Sequence, residues 1–435
     1  MINVTKDYLS LDNSVRTEYF RNILLEAARN GERVYQNAFN AINNLPCVRE
    51  SKGKVTLREL FSEYWDMFYD YYNPLGLIRP AIKDNVDAMI HCKDFSKGYL
   101  TYECPNCKNL VNIGLSCNSR FCSSCGNRYR EERALSISKT VISKPHRQFV
   151  FSIAKELRKY FIEPDDRDNL LDILFEAVNE AFNLLLDSPI AKREHRQFGY
   201  MLFLHTYGRD IKWNPHIHAL ISEGGTGNHS IWRVVKHFDY TFLRNAFRKV
   251  LLEQLTQKIG KHFSKVKNEI YKKHADGFYV RAKPNLCDPN TTIKYISRYL
   301  GRPVIATSRI DDYDGDFVTF HYTRHEDDKT VTECIPAIDF IKRLIIHIPE
   351  KHFKMLRYYG LYAKHHKHSK KLHKCISPEK RRYLHSLMNW RHSILLSFGY
   401  DPLKCPKCGT SMLVLEVYYK KTALFEQYRK VMGYD

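Results

Sequence analysis

Long apolar runs and acidic residues are both scarce in this sequence. No stretch of the 435 residues approaches the roughly 18 apolar residues of a membrane-spanning helix, and no basic segment followed by an apolar run opens the sequence. The acidic residues number 48 against 69 lysines and arginines, a formal net charge of +21. The first scarcity argues against a membrane or secreted protein and predicts a cytoplasmic one. The second predicts a polyanionic partner, with nucleic acid as the first class to consider.

Half of the twelve cysteines stand in short Cys-x2-Cys steps. In a basic chain that is expected in the cytoplasm, this spacing favours metal–thiolate sites over disulfides. Two such knuckles, separated by fourteen residues, predict one tetrahedral zinc site with four thiolate ligands: Cys104, Cys107, Cys122 and Cys125. His91, Cys92 and Cys117 are further candidates, which complete a second site, replace one of the four ligands or are buried without a metal.

A third knuckle, Cys405 and Cys408, stands far along the sequence without an obvious partner. It is a candidate second zinc site, whose other ligands could be histidines between residues 365 and 392 or Cys375. The nearby segment 351–382 carries eleven Lys or Arg and five His against one acid, Glu379. Such a segment is either a solvated face or is placed against phosphate.

Hydrophobic periodicity divides the chain into four regions. They are a helical N-terminal region (1–90), the zinc-binding module (91–135), a region of alternating strands and helices (140–330) and a basic, mainly helical C-terminal region (331–435). Strands are predicted at 146–153, 200–206, 216–222 and 277–283, and helices at 57–72, 167–186 and 240–262. This order predicts an α+β fold in which helices back an antiparallel sheet.

Two histidines, His216 and His218, are separated by one apolar residue in a predicted strand. Because side chains alternate along a strand, both imidazoles project from the same face and can reach a single cation. His205 lies on the preceding predicted strand, and a hairpin would bring it close to the pair. It is the favoured third ligand, and an acidic or amide side chain from elsewhere is the alternative.

Two tyrosines, Tyr295 and Tyr299, are four residues apart in a predicted helix. Residues at this spacing share one stripe of a helix, so both phenols can approach the same point. A tyrosine that attacks a phosphodiester forms a covalent phosphotyrosine, which conserves the bond energy so that a strand can be rejoined later. The alternative is that both side chains only pack in a core.

These elements follow one another in an order that resembles the two-tyrosine, His-hydrophobe-His (HUH) rolling-circle transposases of bacterial insertion sequences. The resemblance extends from about residue 57 to residue 412. It rests on SCNSRFCSSC (116–125), LHTYG (204–208), NPHIHAL (214–220), KYISRY (294–299), FIKR (340–343), RYYG (357–360) and CPKCG (405–409). Phe121 stands where many relatives carry histidine, and residues 1–50 have no counterpart in the resemblance.

The resemblance implies a structural Zn²⁺ in the N-terminal zinc-binding domain and an HUH endonuclease domain at residues 140–330. This nuclease would nick and rejoin DNA at single-stranded or hairpin element ends, using Mg²⁺ or Mn²⁺. By position, His216 and His218 match the family's metal ligands, and Tyr295 and Tyr299 match its nucleophiles. The implied protein is a DNA transposase that works through 5′-phosphotyrosine links.

Two other functions are compatible with parts of the sequence. A replication initiator or relaxase shares the metal-and-tyrosine chemistry, but the chain lacks the G-x4-G-K-[ST] phosphate loop of a helicase, and a zinc module precedes the nuclease pattern. A zinc-dependent DNA-binding protein without enzymatic activity would account for the charge and the cysteines. It would leave the paired histidines and tyrosines without a role.

Overall fold

The part of the chain that the structure describes is organised around three antiparallel β-sheets. The structure is a computed structural model. It describes residues 55–162, 167–187, 192, 195–228, 232–235, 238–284, 304–324, 327–363, 376–379, 382, 391, 394–395, 399, 401–419 and 422–423.

The helices are α1 (Leu57–Tyr72), α2 (Pro80–Ile90), α3 (Ser123–Ser138), α4 (Arg167–Leu186), α5 (Tyr240–Ile259), α6 (Ser264–Lys273) and α7 (Ala337–Ile345). The first strands are β1 (Gly98–Glu103), β2 (Leu110–Gly114), β3 (His146–Ser152), β4 (Gln197–Tyr207), β5 (Trp213–Thr226), β6 (Arg233–Val234) and β7 (Tyr279–Pro284). The remaining strands are β8 (Ile310–Tyr313), β9 (Phe317–Thr323), β10 (Thr330–Pro336), β11 (Leu356–Gly360), β12 (Leu413–Tyr419) and β13 (Thr422–Ala423).

The largest sheet has the strand order β11-β4-β5-β3-β7, with β6 paired to the far end of β5. On one face, Ile217 and Ala219 of β5 belong to a core that includes buried residues of α4 and α5. On the other face, Phe203 and Leu220 pack with Ala134 of α3. Because both faces are covered around its middle, β5 is a rigid support for side chains near its half-buried start.

A second core joins the first helices to the smallest sheet. Phe61 and Trp65 of α1 share it with Phe340 of α7 and Phe320 of β9, in the sheet of order β10-β9-β8. Helices α1 and α2 therefore pack against residues more than 200 positions later in the sequence, as the bond from Tyr64 Oη to the Gly315 carbonyl also shows. None of the described helices combines the length and apolar character that crossing a membrane requires.

The third sheet, of order β13-β12-β1-β2, joins two distant parts of the chain. Strand β1 pairs with β2 on one side and with β12 on the other. Its apolar core is small, with four buried residues: Tyr102, Cys104, Cys405 and Met412.

The predicted α+β class and the antiparallel sheet backed by helices are confirmed. Helices α1 and α4 have the predicted bounds, and β3, β4, β5 and β7 lie where strands were expected. The predicted helices of residues 1–54 and the predicted tyrosine helix lie outside the described residues.

One regional prediction needs correction. The C-terminal region is not mainly helical where it is described, because β11 extends the largest sheet and β12 extends the sheet of β1. These two strands pair with β4 and β1, which lie in other predicted regions of the chain. Such pairing joins segments far apart in sequence, and local periodicity carries no information about it.

Candidate functional site: three metal-ligand clusters

Three histidines meet near the start of β5. His216 and His218 lie on this strand, and His205 on β4 is the direct cross-strand partner of His216. One ring nitrogen from each residue lies within 4.8 Å of the other two, and the Nε2 atoms of His216 and His218 are 3.1 Å apart. The structure therefore brings His205 to the predicted pair, and three imidazoles converge on one point.

The backbone orients one of these rings for metal binding. The Nδ1 atom of His216 lies 2.7 Å from the Asn214 carbonyl oxygen. A carbonyl can only accept, so Nδ1 carries the proton and donates, and Nε2 keeps its lone pair on the side of the other histidines. Between the two histidines, Ile217 points into the core and fixes the strand from behind.

Burial changes the pKa of His218, the second histidine of the pair. It lowers the pKa of His218 well below 6.5, and His205 and His216 lower it further because a second positive charge beside them is unfavourable. The neutral imidazole, which is the form that binds a metal ion, therefore predominates at neutral pH.

A row of stacked rings runs from the histidine cluster towards a shallow cavity. The ring of His205 stacks on Tyr207 at 5.5 Å, Tyr207 meets His347 at 5.4 Å, and His347 stacks on Trp213 at 5.6 Å. His347 is held in this row by Thr206 Oγ1 on one ring nitrogen and the Ile211 carbonyl on the other, each at 3.0 Å.

The cavity at the end of this row has a volume of about 230 Å³. It is lined by Ile211, Lys212, Trp213, Lys342, Arg343 and Ile346. Arg343 is paired with Glu333 at 2.7 Å and Lys342 with Asp339 at 3.6 Å, so Lys212, 3.9 Å from Glu333, is the most loosely paired cation beside the indole. An indole beside a lysine suits an unpaired base and its phosphate. The sequence analysis did not identify this cavity, because α7 comes to it from more than 120 residues after Trp213.

The first cysteine cluster consists of Cys92, Cys117, Cys122 and Cys125. The sulfur of Cys125 lies 3.6 Å from those of Cys92 and Cys117. Tetrahedral zinc with Zn–S bonds of about 2.3 Å places its sulfurs about 3.8 Å apart, so the four thiolates fit this ion. Cys122 caps α3 and Cys125 lies in its first turn, where the positive end of the helix dipole stabilises thiolates.

The second cysteine cluster consists of Cys104, Cys107, Cys405 and Cys408. The sulfurs of Cys104 and Cys408 are 3.4 Å apart, and those of Cys107 and Cys405 are 3.5 Å apart. Cys104 and Cys405 are buried, while Cys107 and Cys408 are exposed.

The two clusters correct the predicted grouping of ligands. The knuckles Cys104/Cys107 and Cys122/Cys125 do not share one site, because each faces a different set of sulfurs. Of the open alternatives for Cys92 and Cys117, the structure supports a second site. His91 is exposed and its ring contacts the Asp87 carbonyl instead of the sulfurs. The third knuckle faces Cys104 and Cys107, and neither Cys375 nor a histidine of 365–392 is needed to complete four ligands.

The predicted nucleophiles Tyr295 and Tyr299 lie outside the described residues, between the end of β7 at Pro284 and residue 304. The structure therefore provides the histidine cluster and the cysteine clusters, and the two tyrosines are known from the sequence alone.

Comparison with known proteins finds two family models that match different parts of the chain. A family model described as "Transposase zinc-binding domain" matches residues 60–153, which include the first cysteine cluster. A family model described as "Putative transposase" matches residues 199–370, which include the three histidines and the two tyrosines. Cys405 and Cys408 lie outside both matches.

Two relatives match over most of their length. The transposase for insertion sequence element IS801 of Pseudomonas savastanoi pv. phaseolicola is 25% identical over 363 residues, which cover 78% of this chain and 84% of that protein. The putative transposase y4qJ of Sinorhizobium fredii is 22% identical over 331 residues, covering 72% and 81% respectively. No solved structure matches the chain. Both domain models describe transposases and both relatives are named as transposases, so the chain is similar to insertion-sequence transposases over most of its length.

Proposed function

We propose that this transposase is an HUH-type endonuclease and strand transferase, which nicks and rejoins single-stranded DNA at insertion-sequence ends in the cytoplasm. The observation that carries the proposal is the convergence of His205, His216 and His218 on one point of a rigid sheet. Structural residues rarely gather three imidazoles within 4.8 Å, because any protonation there is opposed by the other two rings.

The histidine cluster fits a catalytic divalent ion. Three neutral nitrogen donors leave coordination positions for water and a phosphate oxygen. A bound ion would polarise the scissile phosphate and stabilise charge on the leaving oxygen. Imidazole donors favour Mn²⁺ over Mg²⁺, because Mg²⁺ prefers oxygen ligands and loses its water reluctantly.

The chain's own residues supply the remaining chemistry. The phenol oxygen of Tyr295 or Tyr299 gives up its proton to water as it attacks phosphorus, the bond from phosphorus to the 3′ oxygen breaks, and that oxygen takes up a proton from water and leaves as a 3′-hydroxyl. The DNA stays joined to the protein through its 5′ phosphate. A second tyrosine permits a second link, and reversal of the attack by a new 3′-hydroxyl rejoins a strand.

The cavity beside Trp213 supports single-stranded DNA as the substrate. Trp213 offers a ring for an unpaired base, and Lys212, which lies 3.9 Å from Asp210 and Glu333, can turn its ammonium group to a backbone phosphate. The ring row from His205 to Trp213 connects this cavity with the histidine cluster. A strand bound in the cavity would therefore run towards the metal-binding histidines.

The test is the formation of a covalent protein–DNA adduct. We expect the protein, incubated with labelled single-stranded element ends and Mn²⁺ or Mg²⁺, to give an adduct that survives denaturing electrophoresis. Replacing both nucleophiles (Tyr295→Phe with Tyr299→Phe) should abolish it. The control is Tyr279→Phe, since Tyr279 is an exposed tyrosine on β7, and its adduct should match that of the parent.

The histidine variants separate catalysis from binding. His216→Ala or His218→Ala should lower adduct formation by at least about 100-fold, because charge stabilisation of the leaving oxygen is lost. Binding of the same DNA should persist, and His262→Ala on the surface should have no effect. An adduct that is insensitive to the tyrosines or absent with every element end would refute the mechanism. An adduct formed without joining of the two element ends would indicate an initiator or relaxase.

A further inference from the structure

We propose that Cys104, Cys107, Cys405 and Cys408 bind one zinc ion, which fastens the C-terminal strand β12 to the N-terminal zinc-binding region. We call this cluster the composite zinc site. Its two halves lie 304 residues apart along the chain, measured from Cys104 to Cys408. The site is separate from the Cys92 cluster and from the histidine cluster, so it does not depend on the proposed nuclease chemistry.

The sulfur geometry fits a tetrahedral ion. The sulfurs of Cys104 and Cys408 are 3.4 Å apart, those of Cys107 and Cys405 are 3.5 Å apart, and all four lie within 4.8 Å of one another. These distances bracket the roughly 3.8 Å edge of a zinc–thiolate tetrahedron. They are too long for an S–S bond of about 2.05 Å, so two disulfide bonds do not explain the arrangement.

The two halves have the same backbone structure. In the first knuckle, the Lys108 amide donates to the Cys104 carbonyl and the Cys104 amide donates to the Asn109 carbonyl, each at 2.9 Å. The second knuckle repeats both bonds at 2.9 Å, from Gly409 to Cys405 and from Cys405 to Thr410.

The residue after each second cysteine also adopts the same left-handed conformation. Lys108 has a φ of 56° and Gly409 has a φ of 72°. A lysine is rarely found in this region of φ, because the left-handed conformation is unfavourable for a residue with a side chain. The turn therefore requires this conformation at Lys108 despite its energetic cost. Two matching turns that each present two sulfurs to the same point are a zinc-binding arrangement built from both ends of the described chain.

Apolar burial does not suffice to hold these elements together. The core of the four-stranded sheet has four buried residues, and two of them are the ligands Cys104 and Cys405. Strand β12 begins with Leu413, Val414 and Leu415, which are exposed by 44–62%. A unit with so little buried surface needs another source of stability, and a structural metal is the usual one in small modules.

The surroundings suit a negatively charged metal–thiolate centre. Binding of zinc by four thiols releases four protons and leaves a net charge of −2 on the centre. Lys404 and Lys407 stand next to the ligands in sequence and are exposed, so they partly neutralise this charge, while the ammonium group of Lys108 lies 3.3 Å from the Glu103 carboxylate. The hydroxyl oxygen of Thr410 lies 3.4 Å from the sulfur of Cys408, within hydrogen-bond distance.

Zinc content measured by mass spectrometry of the purified full-length protein tests the site. The measurement uses the His216→Ala/His218→Ala background, so that the histidine cluster contributes no metal. We expect two zinc ions per chain, one for each cysteine cluster. Cys405→Ser with Cys408→Ser should reduce the content to one, while Lys407→Ala in the same knuckle should leave it at two. Two zinc ions in the Cys405/Cys408 variant would overturn the proposal.

A second set of variants identifies the ligands without removing the metal. In the cobalt-loaded protein, Cys107→His or Cys408→His should keep two metals and shift the cobalt absorption of one of them towards that of a site with three sulfurs and one nitrogen. Both positions are exposed, so an imidazole can be accommodated. An unchanged spectrum in either variant would show that the replaced cysteine is no ligand, and the composite site would be rejected.

Discussion

At the scale of single residues, His218 makes the folded protein sensitive to acid. Its pKa is lowered well below 6.5 by burial and by the two neighbouring histidines. The unfolded chain therefore takes up a proton at this position at a higher pH than the folded chain does. We expect the free energy of unfolding of the protein without a divalent ion in this cluster to fall as the pH drops below about 6.5, by at most about 1.4 kcal/mol per pH unit.

Urea denaturation between about pH 7.5 and pH 5.5 measures this linkage. The pH dependence should be shallower in His218→Gln, which has no proton to bind at this position. His262→Gln removes an exposed histidine instead and should retain the slope of the parent protein. An equal slope in all three proteins would show that His218 is not held in its neutral form.

At the scale of the elements, the sequence predicts those helices and strands that are specified by local hydrophobic patterns. The amphipathic period of residues 57–72 and the alternation in β5 specify a helix and a strand without reference to the rest of the chain. The His216/His218 pair follows directly from that alternation. The partners of Cys104 and Cys107 did not follow, because they are brought together by pairing of β1 with β12, and no local pattern encodes that contact.

Helix α1 has a local signal that also makes a prediction. The Thr56 hydroxyl accepts from the Glu59 amide at 3.2 Å, and the Glu59 carboxylate accepts from the Thr56 amide at 2.8 Å. Thr56→Ala should lower the free energy of unfolding by about 1 kcal/mol, because the amide loses its partner. Thermal unfolding of the zinc-loaded protein measures this loss.

The capping contribution should also depend on pH. The Thr56 amide and hydroxyl hold the pKa of Glu59 below 4.5, so the carboxylate supports the cap above that pH and ceases to do so as the pH falls through the lowered pKa.

The matched control for Thr56→Ala is Thr241→Ala, since Thr241 is exposed in the first turn of α5, where Asp239 provides the cap. A loss of similar size in the control would assign the effect to something other than capping.

At the scale of the whole molecule, two segments from late in the sequence pack against elements from early in the sequence. Helix α7 packs with α1 in one core, and β12 completes the sheet of β1. The region that carries the N-terminal cysteines is thus packed with later parts of the chain, and residues that follow the transposase match contribute two cysteines to its second cluster. A division of the sequence into consecutive regions could not predict this arrangement, because α7 and β12 each contribute only a few residues to their contacts with α1 and β1.

The net charge of +21 favours binding to a polyanion, and the cavity at Trp213 is where we expect Lys212 to meet a phosphate of single-stranded DNA. Affinity should fall linearly with salt on logarithmic axes, with a slope of about −0.7 for each phosphate neutralised. Lys212→Ala should weaken binding and make the slope shallower by about 0.7, because one phosphate contact is lost.

Fluorescence anisotropy with a labelled oligonucleotide, measured across a series of salt concentrations, gives both quantities. Lys265→Ala is the control of equal charge, since Lys265 is exposed on α6, a helix that packs against the opposite face of the largest sheet from the histidines. If the charge acts only through the net field of the molecule, both variants lose affinity equally and neither changes the slope more than the other. A larger change in affinity and salt slope in Lys212→Ala alone would place a phosphate of the bound strand in the cavity. The row of rings from Trp213 to His205 joins that cavity to the histidine cluster.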